Sequence, residues 1–114
     1  MESILTSIKK LLGIAEEYTH FDQDIIMHIN SALFTLTQLG VGPSAGYSID
    51  DAEDVWTDFV DVSRVEAVKT YVHLNVRLVF DPPTSSAVID AIERRLKELE
   101  WRLNVAVDPA EASN

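Results

Sequence analysis

At 114 residues the chain is one domain's worth of polypeptide, long enough to bury roughly two thirds of the surface that its unfolded form exposes. Nineteen Asp and Glu against nine Lys and Arg give a net charge of -10, which repels phosphate and anionic lipid and disfavours a sequence-reading DNA binder; the absence of cysteine excludes a disulfide scaffold, a thiol nucleophile and a thiolate zinc site. With 46% apolar residues and no apolar run near the ~20 residues of a membrane span, a soluble folded protein is expected, neither disordered nor membrane-embedded.

The N-terminus, with Glu2 and then Lys9 and Lys10 after a short apolar stretch, lacks the order of a signal peptide. Ile4, Ile8, Leu11 and Leu12 recur at helical spacing after Ser3, and Gly13 follows as a stop; together they predict a short first helix. From Thr19 or Asp22 to Leu39 the set Ile25, Ile26, Ile29, Ala32, Leu33, Leu36 and Leu39 forms a one-sided stripe, with Gly40 where a left-handed cap residue belongs. A second helix is predicted there. Val41 to Ser48, carrying Gly42, Pro43, Ser44 and Gly46, reads as a loop. Asp50 to Asp54 then crowd acids where a helix N-terminus favours them, ahead of Val55, Trp56, Phe59 and Val60. This predicts a short helix docked by its aromatics.

Residues 63–80 carry two competing periods. Ser63 with Glu66 fits a capping box, and Val65, Val68, Val72, Val76 and Val79 lie along one helical face. Yet Val72, Leu74, Val76 and Leu78 alternate with His73, Asn75 and Arg77 in a strand pattern. Helix is preferred, because it continues from the cap and a lone strand in a helical chain has no partner. Asp81, Pro82 and Pro83 end the element in either case. After possible caps at Thr84, Ser85 and Ser86, the residues Ile89, Ile92, Leu96, Leu99 and Leu103 repeat at steps of three and four. That is the rhythm of a long helix, roughly 30 Å at about 1.5 Å per residue, packed along another helix of the same bundle. On its outer face Asp90 with Arg94, Glu93 with Lys97 and Glu98 with Arg102 stand at i,i+4 with the acid first, the favourable order for ion pairs. From Ala106 onward, Asp108, Pro109 and small polar residues predict a frayed tail. The expected fold is therefore all-α: a small bundle of about four helices plus a short helix, with a long C-terminal helix, organised as one domain over 1–105 and a flexible tail over 106–114.

Residues 14–62 hold ten acids and no Lys or Arg, whereas residues 82–105 balance four acids with four bases. The acidic half reads as a solvated face that aids solubility, or as a surface that avoids nucleic acid or docks on a basic partner. Chemistry is sparse. His20, Asp24 and His28 stand at steps of four and share a face if the helix begins at Thr19, but with Asp22 as cap His20 falls outside it, and no fourth ligand presents itself; no metal site is expected. His73 is expected on or near a packed helix as a neutral, hydrogen-bonded side chain. The serines lack a nucleophile elbow, Gly40, Gly42 and Gly46 do not make a phosphate cradle, and neighbouring acids such as Glu16 and Glu17 point different ways on a helix. Neither a catalytic constellation nor a cofactor motif is present in the sequence.

The run Tyr71-Val72-His73-Leu74-Asn75-Val76-Arg77-Leu78-Val79-Phe80-Asp81-Pro82-Pro83, followed by Ala87-Val88-Ile89-Asp90-Ala91-Ile92 and closed by Lys97-Glu98-Leu99-Glu100-Trp101-Arg102-Leu103-Asn104, resembles the small head-tail connector proteins of tailed bacteriophages, also called adaptor or head-completion proteins. Gly40 to Val60, with Trp56-Thr57-Asp58-Phe59, is similar to the same family, so the likeness covers nearly the whole chain. Its specific parts are Phe80-Asp81-Pro82-Pro83 and Glu100-Trp101-Arg102-Leu103; the N-terminal helices are generic. The resemblance implies a non-enzymatic helical subunit, with residues 63–80 helical. It implies a homo-oligomeric ring beneath the portal protein after DNA packaging, extending the channel and receiving a further connector or tail protein. DNA would pass through without sequence-specific binding. The expected location is the virion's head-tail junction, after synthesis in the host bacterial cytoplasm.

A ring subunit needs two different surfaces that meet head to tail, and the balanced face of the last helix can supply polar complementarity. Trp101 lies between Leu99 and Leu103 and points about a hundred degrees or more away from both. It is either part of a wider core stripe or an aromatic anchor in a neighbouring molecule. Arg94, Arg95, Trp101 and Arg102 are accordingly the candidate assembly interface. Two other classes compete: an acidic DNA mimic or partner-binding helical protein, favoured by the clustered acids, and a small helical enzyme, which no motif supports.

Overall fold

The computed structural model describes residues 2–105. Its elements are α1 (Ile4–Leu11), α2 (Asp22–Gln38), α3 (Val65–Phe80) and α4 (Ser86–Val105), with 3-10 turns at Trp56–Asp58 and Val62–Arg64. Among the described residues, extended pairing is limited to one isolated antiparallel bridge between Ser3 and Val55. The all-α class and the long final helix are as expected, and residues 65–80 resolve the competing periods in favour of helix. The tail expected from Ala106 lies outside the described residues.

α3 occupies the centre. It packs against α2 on one flank and α4 on another, while α1 closes across α2 and α3; α2 and α4 make no extensive contact with each other. Val68, Tyr71, Val72 and Val76 of α3 are buried, and of its sixteen residues Glu66 and Val79 alone are exposed. From α4, Ile92, Leu96, Leu99 and Leu103 complete one continuous apolar core, with Ile89 half-buried at the near end of the stripe. One side chain ties α4 to this centre and another ties α4 to the end of α2. The Tyr71 hydroxyl donates to Glu100 Oε2 at 2.7 Å, and Asn104 Nδ2 donates to the Leu39 carbonyl at 2.9 Å.

The N-terminal region is held by buried polar groups. Ser3 caps α1, its Oγ accepting from the Thr6 N–H at 3.2 Å. Trp56 is fully buried and its indole N–H donates to Ser7 Oγ at 2.8 Å; Ser7 in turn donates to the Ser3 carbonyl at 2.7 Å. Burying an indole is favourable only when its N–H finds such a partner. Lys9, 2% exposed, sends its ammonium to the carbonyls of Glu16 (2.9 Å) and Tyr18 (2.7 Å) and to Asp22 Oδ1 at 2.8 Å. That oxygen accepts no other hydrogen bond among the described residues. Asp22 therefore opens α2 as its first residue and serves Lys9, where an N-cap was one expectation; the residue at the cap is Phe21, without a side-chain bond.

Three local expectations are corrected. The helix expected over 50–60 is a 3-10 turn of three residues. Its acids use their carboxylates on nearby backbone: Asp54 Oδ2 accepts from Asp50 N–H at 2.8 Å and Asp51 Oδ1 accepts from Glu53 N–H at 2.8 Å, local bonds that compete with a helical ladder. The capping box at Ser63 and Glu66 does not form, because Ser63 Oγ donates to Asp61 Oδ2 at 2.8 Å and Glu66 pairs with Lys69 at 3.1 Å. The chain enters α3 through the Val62–Arg64 turn instead. On α4 the pair Glu98–Arg102 forms, at 3.5 Å, but Arg95 shares Glu98 from the preceding turn, and neither Asp90–Arg94 nor Glu93–Lys97 closes into an ion pair among the described residues.

The loop before Trp56 is positioned by two contacts. Asn30 on α2 clamps Ile49 from both sides, donating to its carbonyl at 3.0 Å and accepting from its N–H at 2.7 Å. Gly42 has φ +85°, and a Cβ there would lie 2.5 Å from the Phe59 ring, so both backbone hand and ring approach demand glycine.

Because Leu96 is buried on the α4 stripe, Leu96→Ala should destabilise the fold by about 2–5 kcal/mol. Urea unfolding followed by circular dichroism checks this; a loss below about 0.5 kcal/mol would place Leu96 at the surface.

Candidate assembly interface

The a/d rhythm that buries Ile92, Leu96, Leu99 and Leu103 leaves the opposite side of α4 in solvent. At about 100° per residue, Trp101 points roughly 170° from the middle of that stripe. Its indole is 66% exposed, so the wider core stripe considered for it does not form. Arg94, Arg95 and Arg102 are exposed on the same helix. Arg95 and Arg102 converge on the Glu98 carboxylate, and Arg94 lines a shallow depression with Asp90, Glu93 and Lys97. At the same 100° per residue Arg94 lies about 20° from Trp101, on the side away from the core, whereas Arg102 and Arg95 lie about 100° and 120° from it, at the border of the core-facing side. Solvent-facing pairs of this kind contribute about 0–1 kcal/mol each, so a partner can exchange them at little cost to the fold.

Glu100 differs from its neighbours because the Tyr71 hydroxyl holds it against α3. Burial first, and then that carboxylate, push the Tyr71 phenol well above its usual range. α4 as a whole is balanced, with Arg94, Arg95, Lys97 and Arg102 against Asp90, Glu93, Glu98 and Glu100; Arg95 and Arg102 are paired with Glu98, and Glu100 with Tyr71.

A second exposed apolar surface escaped the sequence reading. Met27 and Phe34, 58% and 61% exposed, lie seven residues apart on α2, opposite its core stripe. With Ile26, Asn30 and Ile49 they border an open groove of about 660 Å³. The i,i+7 spacing of the two residues is visible in the sequence, but it gains meaning only once the opposite face of α2 is known to be buried. Lys9 was missed for a related reason: it lies four residues after Leu5 within the apolar side of α1, where a lysine reads as an ordinary surface charge.

His20, Asp24 and His28, spaced four apart in the sequence, do not converge. His20 precedes α2, its ring edge-on to Phe21 with centroids 4.8 Å apart, while Asp24 and His28 lie within the helix. No group of three His, Asp or Glu side chains capable of holding a metal occurs among the described residues. In the acidic half, burial, then Asp54, Asp58 and Asp50, push the Tyr47 phenol up to about 12, keeping it neutral. Among the described residues no helix is long and apolar enough to cross a membrane.

The family model described as phage connector protein matches residues 4–110. The chain belongs to the phage connector protein family. Neither the curated proteins nor the solved structures gave a match. The connector family is one of structural proteins.

His73 of this connector is half-buried on α3, and burial, followed by the positive charge of Arg77, lowers its pKa below the usual imidazole value. Burial, not a hydrogen bond, sets that direction. Between the lowered folded value and the unfolded ~6.5 the unfolded chain binds more protons, so the stabilisation is present above ~6.5 and lost as pH falls through the folded value. Urea midpoints measured from pH 7.5 down to 5 should fall, and His73→Gln should flatten that dependence; an unchanged slope would assign it to other groups.

Proposed function

We propose that this connector assembles as a homo-oligomeric ring on the phage portal after DNA packaging, extending the DNA channel and offering a platform for the next connector or tail protein. The observation that carries the reading is the outer face of α4. It belongs to the stretch most like the connector family, and it presents a solvent-exposed Trp101 among arginines that the monomer does not need for folding. Arg94, Arg95, Trp101 and Arg102 are the proposed contact residues, with Trp101 as the desolvated anchor and the arginines as exchangeable ion-pair partners.

Charge supports the passage of DNA. A lumen lined by Lys and Arg would retain phosphates through counterion release, whereas acids would not, and residues 14–62 contain acids without a Lys or Arg. DNA would therefore slide through without being read. In this reading the protein belongs to the head-tail junction of the virion and is built from subunits made in the host cytoplasm.

Trp101→Ala combined with Arg102→Glu should leave the monomer folded, since both residues are exposed, while weakening portal attachment by about 2 kcal/mol or more. Co-sedimentation with portal rings across a concentration series measures this. Attachment at unchanged concentration by the folded double variant would remove α4 from the interface.

A further inference from the structure

α4 is held to the rest of the molecule by one apolar stripe and by two hydrogen bonds along one edge of it. Ile92, Leu96, Leu99 and Leu103 keep 3–8% exposure, whereas Ile25, Ile29, Leu33 and Leu36 of α2 are fully enclosed. The α4 seam is thus covered from one side. Apolar contact has no direction, so a stripe of this kind leaves the helix some freedom to turn about its own axis. A hydrogen bond removes it. At about 100° per residue Glu100 lies roughly 40° beyond Leu96 at the edge of the stripe, and Asn104 roughly 40° further round. Glu100 Oε2 accepts from the Tyr71 hydroxyl at 2.7 Å, and Asn104 Nδ2 donates to the Leu39 carbonyl at 2.9 Å. Tyr71 is itself buried in the core, so its hydroxyl projects from a point that packing has already fixed.

We propose that Tyr71 and Glu100 are positioning residues for assembly: their hydrogen bond, with Asn104 as a second anchor, sets the rotation of α4 and so the direction in which Trp101 and Arg94 meet an adjoining molecule. The inference rests on the ring reading given above and adds the part of the monomer that aims the contact. Trp101 directly follows Glu100 in the chain, so whatever fixes Glu100 fixes the backbone from which the indole projects. The lever is long enough to matter. With side chains a helix has a radius of about 5–6 Å, and a turn of about 30° carries an outer side chain about 3 Å, well beyond the ~0.5 Å to which a working contact must be held. The pair does not touch the contact itself, since Tyr71 is buried and Glu100 points about 100° away from Trp101. It acts through α4, as a single polar residue in an apolar seam fixes the register of paired helices.

The absence of cysteine allows nitroxide labels at Ser31→Cys on α2 and Lys97→Cys on α4, both exposed positions. Pulsed electron spin resonance then reads the distance between the two helices in labelled protein diluted into unlabelled protein, and attachment to portal rings is measured separately without labels. With the pair intact the distance distribution should be narrow. Tyr71→Phe keeps the ring and removes the hydroxyl; it should broaden the distribution and raise the concentration for half-saturation of portal rings about threefold or more, as the fraction of correctly turned α4 falls. Glu100→Ala should do the same, and the double variant should be no worse than either alone, because both changes remove one bond. Glu100→Gln keeps an acceptor oxygen and should retain both the narrow distribution and the attachment. Thermal melting checks folding, and if Tyr71→Phe does not fold, Glu100→Ala, at a half-buried position, carries the test. An unchanged distribution without the hydrogen bond would overturn the proposal, as would a broadened one with unchanged attachment; either leaves the ring reading standing. Failure of the unsubstituted protein to attach to portal rings would overturn the ring reading and the assembly role of the pair with it.

Discussion

The surface of α3 has to be covered almost completely. A helix with valines at 65, 68, 72 and 76, joined by Tyr71, Leu74 and Leu78, is apolar over most of its circumference, its polar strip being Glu66, Thr70, His73 and Arg77, so most of its surface is costly to leave against water. α2 covers one flank and α4 another, while α1 lies across α2 and α3. The irregular segment 41–61 contributes Val41, Ile49, Trp56, Phe59 and Val60 to the same core. Once α3 is enclosed in this way, α2 and α4 are necessarily peripheral. Each has a core-facing stripe and an outward side, and it is on those outward sides that Met27, Phe34 and Trp101 remain exposed.

Polar groups do the work of attachment where apolar area is limited. α1 has only eight residues, too few to be stable as an isolated helix, and it is fastened at both ends. Ser7 receives the Trp56 indole N–H, and the buried Lys9 ammonium joins two carbonyls to the first residue of α2. A buried ammonium is tolerable only with such a full set of partners. The acids show the same economy. Asp22 answers Lys9, Asp51 and Asp54 satisfy turn amides, and Glu100 receives Tyr71. Three of the ten acids in residues 14–62, Asp22, Asp51 and Asp54, therefore have local structural partners, and the others give that side of the molecule its sign.

The helices that follow a long apolar period were readable from the sequence. Ile25 to Leu36 marked α2, Ile92 to Leu103 marked α4, and Ser3 with Gly13 bracketed α1. The valine run of α3 was ambiguous because β-branched residues satisfy period two and period 3.6 together, and the choice depended on the absence of a pairing strand, a matter of tertiary structure. Around Asp50 to Asp54 the sequence misled: acids that favour a helix N-terminus also bond their own turn amides, and Val55 is drawn into extended pairing with Ser3. The α4 interface was legible because Trp101 broke a clear stripe. The exposed apolar side of α2 was not, since Met27 and Phe34 acquire meaning only when the other side of α2 is known to be occupied by α3.

The central claim is that this connector builds a ring on the portal with α4 at the boundary between subunits. Cryo-electron microscopy of portal rings incubated with the purified protein tests it most directly. The account predicts a closed ring of added density beneath the portal, in which the outer face of α4, with Trp101, is buried against the adjacent copy. Portal rings without added density, or a ring in which Trp101 faces open solvent, would contradict it.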